Sequence, residues 1–174
     1  MDVPVELLNS KTVASYLVHR GVIADTQNLI IEELSGGVSN IVLAVTNSEV
    51  DLVLKQALPE LKVQTKWVVD QRRAIVEANA INLFHSISPN HVPQLIDSDP
   101  ELFTLTIQRA PHTSQVWKTE LLAGRINSKT GFELGKILAS WHNYGELHRE
   151  SAETFDDDSL FDQLRIDPFY REIS

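Results

Sequence analysis

The chain has 174 residues, 43% of them hydrophobic, enough for one compact unit with a sizeable core or for one domain and part of another. Its formal charge of -9, from 24 acidic against 15 basic side chains, argues against nucleic acid or an anionic membrane surface as a partner. The absence of cysteine excludes disulfides and thiolate metal sites; without a basic and apolar leader or an apolar run near the ~20 residues of a membrane span, the chain is expected to be soluble and cytoplasmic.

Asn9 or Ser10 can cap a short helix that carries Val13, Tyr16 and Leu17 on one face and stops at Gly21. Three segments rich in Ile, Val and Leu follow, Leu29 to Leu34, Asn40 to Thr46 and Val50 to Ala57. Their connections, Ser35-Gly36-Gly37 and Asn47-Ser48-Glu49, are too short for a parallel crossover, so the strands form an antiparallel meander. Lys66 to about Ile87 contains no Gly or Pro and predicts a helix of about five turns or more. His91 to Asp97 and Leu102 to Gln108 read as a further strand pair around the turn DSDPE, with Pro93 near a strand start or edge. Beyond Pro111 the pattern turns helical, with a short helix around Val116 to Ala123 closed by Gly124 and a longer one from about Ser128 to Tyr144. The longer one carries Leu134, Ile137, Leu138 and Trp141 on one side, and Gly135 with Ala139 forms a small pair suited to close helix contact. The expected fold class is therefore α+β.

Two charged residues stand out. Alternation along DLVLKQ puts Leu52 and Leu54 on one face of the strand and Val53 with Lys55 on the other. Taken alone, Lys55 could be a solvated lysine near a strand end. Glu77 lies among Ala74, Ile75, Val76, Ala78, Ala80 and Ile81, and a carboxylate in that setting needs a partner. Arg73, one turn earlier, is one candidate and Lys55 is the other.

A glycine loop, a lysine on the third strand and a glutamate on the first large helix follow one another here in the order of a kinase N-lobe. Of the three glycines in the protein-kinase pattern GxGxxGxV, the stretch from Ser35 to Val42 keeps only the middle one. SGGVSN instead resembles the GGxSN loop of the aminoglycoside phosphotransferase-like small-molecule kinases. KQALP at Lys55 to Pro59, followed by Trp67 and an arginine-rich helix start, resembles their methylthioribose kinase branch. The resemblance spans about Leu29 to Asn143 and includes the helix phrase LGKILASWHN, in which His142 is read as structural. It implies a protein-kinase-like N-lobe over residues 1–108, with five antiparallel strands and one long helix, then a hinge and the first helices of a C-lobe over 109–174.

The implied ligand is ATP. Gly36, Gly37 and Ser39 would lie over its phosphates, Val42 and Val53 would flank the adenine, Lys55 would bind phosphate and Glu77 would orient Lys55. Ile107 would close the back of the pocket, and the backbone from Gln108 to Ala110 would form the hinge against the adenine edge.

Phosphoryl transfer also needs an aspartate to orient the acceptor and a metal held by an Asn and a further carboxylate. The family's HGDxxxxN loop and later DxE or DxD are not found, and none of the six histidines begins an HxD. The chain alone is thus expected to be inactive, with no catalytic or metal-binding residue of its own and Mg2+ bound only with a further C-terminal half. Asp97 and Asp99 imitate a metal motif but fall ahead of the hinge and are read as turn formers. Asp156 to Asp158 are read as a solvated run. Asp162, Arg165 and Asp167 could approach an acceptor, or their segment could pack through Leu164, Ile166 and Phe169. Two other readings compete with the kinase. One is a non-catalytic nucleotide-sensing or docking module whose C-lobe helix meets a protein partner or a second copy; the other is an α+β domain with no nucleotide site. The resemblance implies phosphoryl transfer to a hydroxyl of a sugar, an aminoglycoside or an amino alcohol, and the sequence does not identify which.

Overall fold

The computed structural model describes residues 6–34, 37–64 and 66–171; Gly36 of the expected phosphate loop lies outside them. Its centre is a five-stranded antiparallel sheet of β1 (Ile30–Glu33), β2 (Asn40–Thr46), β3 (Asp51–Ala57), β4 (Leu95–Asp99) and β5 (Thr104–Gln108), in the order β1-β2-β3-β5-β4. The first three strands form the expected meander. β5 then pairs with β3, which places β3 at the centre and gives it a neighbour on each side.

Period-two alternation gives β3 two different faces. Leu52 and Leu54 point to a core built with Leu43 and Val45 of β2 and with Leu8, Val13, Leu17 and Ile23 from the α1 region (α1, Val13–His19). Leu17, Leu43 and Leu54 are completely buried there, and each such burial contributes about 1.5–3 kcal/mol. On the opposite face, Ala57 and Leu105 meet Ala74 and Ala78 of α2 (Arg73–Ile87), with Ile81, Leu95, Phe103 and Ile107 around them. Small residues on α2 let the helix lie close to the sheet. The α+β class and the five-stranded sheet with its long helix are as expected.

Polar groups fix the first face. Gln56, fully buried, accepts a hydrogen bond from the Leu8 N–H at 2.8 Å and donates to the carbonyls of Glu6 at 2.9 Å and Leu102 at 3.1 Å. The Tyr16 hydroxyl meets Asp99 at 2.9 Å and Thr104 at 2.7 Å, and Arg20 forks onto Asp97 at 2.8 and 2.9 Å. Burial, ahead of the Asp99 contact, raises the Tyr16 phenol above its ordinary value. Burial alone would raise Asp99 as well, but the amides of Glu101 and Leu102, the Tyr16 hydroxyl and Arg20 hold its carboxyl below the usual range. Asp97 and Asp99 therefore lie in a strand and anchor α1. Asp99 also forms the expected turn, by accepting from the Glu101 N–H at 2.8 Å.

Several boundaries differ from expectation. α2 begins at Arg73 rather than near Lys66, because the β-branched Val68 and Val69 pair in extended form with the residues after β3. Val69 N–H reaches Pro59 O at 3.1 Å, and Asp70 turns the chain by accepting from Arg72 N–H at 2.8 Å. β4 begins at Leu95, not His91, since the amides of His91 and Val92 both turn back to Ser88 O, and Pro93 has no N–H to give.

After β5 the chain is helical: α3 (Trp117–Leu122), α4 (Ser128–Leu147), α5 (Arg149–Glu153), α6 (Ser159–Phe161) and a π-helical segment, Asp162–Arg171, containing Pro168. Asn127 caps α4 by accepting from Lys129 N–H, and Gly124 closes the α3 turn with φ +74. Trp141 of α4 stacks on Phe84 of α2, ring centroids 4.1 Å apart, and donates its indole N–H to Ser88 Oγ at 3.0 Å. Gly135 and Ala139 do not make the close contact expected of them; both are exposed, and a Cβ at Gly135 would meet nothing within 4 Å.

Candidate functional site

The register of the sheet assembles the face that carries Lys55. Val42 of β2 stands opposite Lys55, which stands opposite Leu105 of β5. The adjacent row runs Ala44, Val53, Ile107 and Leu95 across four strands. Val42, Val53, Lys55 and Ile107, singled out separately in the sequence, thus share one surface.

From that surface the Lys55 ammonium forms an ion pair and hydrogen bond with Glu77 Oε1 of α2. The side chains are 23% and 38% exposed, so water and ligands can reach the pair and its contribution to stability is small, about 0–1 kcal/mol. Of the two candidate partners for Glu77, Lys55 makes the contact. Arg73 gives its hydrogen bonds to the carbonyls of Ser39, Leu58, Asp70 and Val69. Burial pulls the Arg73 pKa down, while the nearby charges of Asp70 and Glu77 favour its cationic form.

The glycine hairpin leads into β2. Among its described residues, a Cβ on Gly37 would meet nothing within 4 Å, so the backbone there is open on that side. Its exit is stitched to the segment after β3: Leu58 N–H donates to Ser39 O at 3.0 Å and Lys62 N–H to Val38 O at 2.8 Å.

A cleft of about 810 Å³ opens at the end of this face. Val53, Ile107, Gln108 and Ala110 line it, together with Leu34, Val116 and the turn at His91 to Pro93. Val42, Lys55 and Glu77 are not in its lining; Val42 and Lys55 lie further along the sheet, and Glu77 lies on α2. At the hinge, Gln108 N–H donates to Gln94 O at 3.0 Å and Arg109 N–H to Asp51 O at 3.1 Å. The next amide, that of Ala110, has no hydrogen-bond partner among the described residues. Arg109 turns its guanidinium back toward Glu32, 3.5 Å away, and Asp51, 3.8 Å away, which fixes the hinge to β1 and β3.

Sequence reasoning missed Leu34, Ala44 and Val116. Leu34 reads from sequence only as the end of a strand, although its place directly before the glycine turn is a signal for it. Ala44 is identified by register alone, being the partner of Val53. Near the C-terminus, Asp162 and Asp167 are engaged by Arg171 within their own helix, and Phe169 is 59% exposed rather than an anchor. Among the described residues, no group of three or more His, Cys, Asp or Glu side chains could hold a metal ion, and no helix is long and apolar enough to cross a membrane.

The chain is similar to methylthioribose kinases. That of Bacillus cereus (strain ZK / E33L) is 28% identical over 148 residues, covering 84% of this chain and 37% of the relative. Those of Geobacillus thermodenitrificans (strain NG80-2) and Bacillus cereus (strain B4264) are 28% and 30% identical over 137 and 133 residues, covering 77% and 76% of the chain and 34% of each relative. The chain therefore spans about a third of the length of the methylthioribose kinases it matches. No protein-family model matches the chain. The similarity to methylthioribose kinases supports a relationship to small-molecule kinases and agrees with the branch suggested by KQALP, Trp67 and the arginine-rich helix start.

Proposed function

We propose that this chain is the ATP-binding portion of a cytoplasmic small-molecule kinase, with an N-lobe over residues 1–108 and the hinge and beginning of a C-lobe over 109–174. The observation that carries the reading is the ion pair of Lys55 with Glu77 on the sheet face that runs into the hinge cleft. An ammonium held in place by a carboxylate, yet open to solvent, can accept the α and β phosphates of a nucleotide without losing its orientation.

The other parts fit the same ligand. Leu34, Val53 and Ile107 offer apolar walls of the kind that sandwich a purine, and the Ala110 N–H is available to the purine edge. Val42 would extend the wall toward the phosphates, and Gly36, Gly37 and Ser39 would cover them. The Gln108 backbone would complete the hinge contact. ATP bound here supplies the transferable phosphoryl group; this chain's residues bind and orient it. The described residues offer no cluster of three or more His, Cys, Asp or Glu that fits a divalent cation. The acceptor is proposed to be a hydroxyl of a small sugar-like molecule, methylthioribose being the one named in the relatives.

The test is thermal stabilisation of the 174-residue chain. ATP or ADP at ~100 times its dissociation constant should add about 2.7 kcal/mol, and the shift should vanish in Lys55→Ala. Absence of stabilisation at millimolar nucleotide, or an equal shift in Lys55→Ala, overturns the assignment.

A further inference from the structure

Resting on the nucleotide reading above, we propose that Arg73 is a positioning residue whose guanidinium clamps the exit of the glycine hairpin to the start of α2, so that the phosphate-covering backbone and Glu77 are held by one helix. One nitrogen of the fork, Nη2, donates to Ser39 O at 2.6 Å and to Leu58 O at 2.7 Å. The other, Nη1, donates to Asp70 O at 2.9 Å and reaches Val69 O at 3.4 Å. Ser39 ends the glycine turn, Leu58 follows β3, and Val69 with Asp70 lead into α2, so one planar group joins three segments distant in sequence.

The cost of this arrangement argues that geometry is what it provides. A part-buried guanidinium whose hydrogen bonds all go to neutral carbonyls is incompletely repaid, and the Arg73 Nε is buried with no hydrogen-bond partner among the described residues. An apolar side chain would hold the three segments together more cheaply, but it would not fix the direction of the Ser39 carbonyl. Arginine does so because its donors are set in a rigid fork. Glu77 lies one turn along the same helix and holds Lys55. Displacing the start of α2 would therefore shift the hairpin and the lysine together. Lysine at position 73 keeps the charge but lacks the planar fork, and glutamine keeps a planar donor without the charge.

Hydrogen exchange of the whole chain tests the clamp without any ligand. In Arg73→Lys and Arg73→Gln, the Lys62 amide, which donates to Val38 O at the hairpin exit, should exchange about ten-fold faster, while that of Val45 stays unchanged. Gln71→Ala is the control: Gln71 links the same helix start to Ala57 O at 2.7 Å without touching the hairpin, and exchange at Lys62 should not move. Unchanged exchange in both Arg73 variants, or an equal effect in Gln71→Ala, overturns the proposal. Should the variants fail to fold, nitrogen-15 spectra of the wild-type guanidinium decide: slow rotation and protected η protons on Arg73 support the clamp, and free rotation refutes it. With ligand, Arg73→Lys should weaken ATP about ten-fold while leaving adenosine unchanged; an equal loss for both refutes the positioning role. A wild-type chain that fails to bind ATP while the exchange differences persist overturns the nucleotide reading and leaves the clamp standing.

Discussion

Lys55 and Glu77 meet across the interface of β3 and α2, while Arg73, one helical turn before Glu77, is taken up by carbonyl oxygens. Two cations near one carboxylate thus have separate tasks. Lys55, with a single carboxylate partner, can exchange it for a ligand, whereas Arg73 is held by four carbonyls at once.

Stability measurements should separate these tasks. In urea, Lys55→Ala and Glu77→Gln should each change the unfolding free energy of the ligand-free chain by no more than about 1 kcal/mol, since the pair is partly open to water. Arg73→Ala should cost about 2 kcal/mol or more, because it strips donors from several part-buried carbonyls. A Lys55→Ala loss as large as that of Arg73→Ala would make the lysine a structural residue.

The anchor between α1 and β4 should be acid-sensitive. The Asp99 carboxyl is held below its ordinary pKa in the fold, so its stabilising effect is complete above the unfolded value near ~3.9 and is lost as pH falls through the folded value. Asp99→Asn should cost about 1–3 kcal/mol at pH 7, and the gap to wild type should narrow as pH falls below the unfolded value. Denaturant titrations at pH 7, 4 and 2.5 read this directly, and a gap that stays constant with pH would rule the mechanism out.

Tyr16 gives the opposite sign at the alkaline end. Its phenol is raised by burial, so its contribution is complete below the unfolded value near ~10 and declines above it. Wild type should lose stability relative to Tyr16→Phe between about pH 10 and 12. Parallel pH dependences for the two chains would contradict this.

Gln56→Leu keeps the approximate volume of a fully buried side chain and removes its three hydrogen bonds. The Leu8 amide and the Glu6 and Leu102 carbonyls would lose their side-chain partner, at a cost of about 2 kcal/mol or more. Chemical denaturation measures it, and faster exchange of the Leu8 amide should accompany it.

At the contact of α2 with α4, Trp141→Phe preserves the stack on Phe84 and loses only the bond to Ser88, costing about 1 kcal/mol. Trp141→Ala should cost about 3 kcal/mol or more. Equal losses would mean that the indole N–H, rather than the ring, holds the two helices together.

The sheet was legible because its signals are local: runs of β-branched residues and turns too short for a crossover placed β1, β2 and β3 within a residue or two. The pairing of Lys55 with Glu77 was legible as one of two options, since an isolated carboxylate among apolar residues advertises a need without naming its partner. The start of α2 was not legible, because Trp67 to Val69 carries no Gly or Pro to break a helix and is extended only through its bonding to Pro59 and Leu61. Nor was the role of Asp97 and Asp99, which depends on Tyr16 and Arg20 some eighty residues away. Pairwise contacts at that separation leave no periodicity to read.

The central strand leaves no tolerance for a change of phase. Because Gln56 and Lys55 are neighbours on opposite sides of β3, inserting or deleting a single residue ahead of them would send the ammonium toward the α1 side and the amide toward α2. One such slip would remove the cation from the cleft side and unfasten the residues before α1 in the same stroke. Length variation in this part of the chain should therefore be confined to its turns.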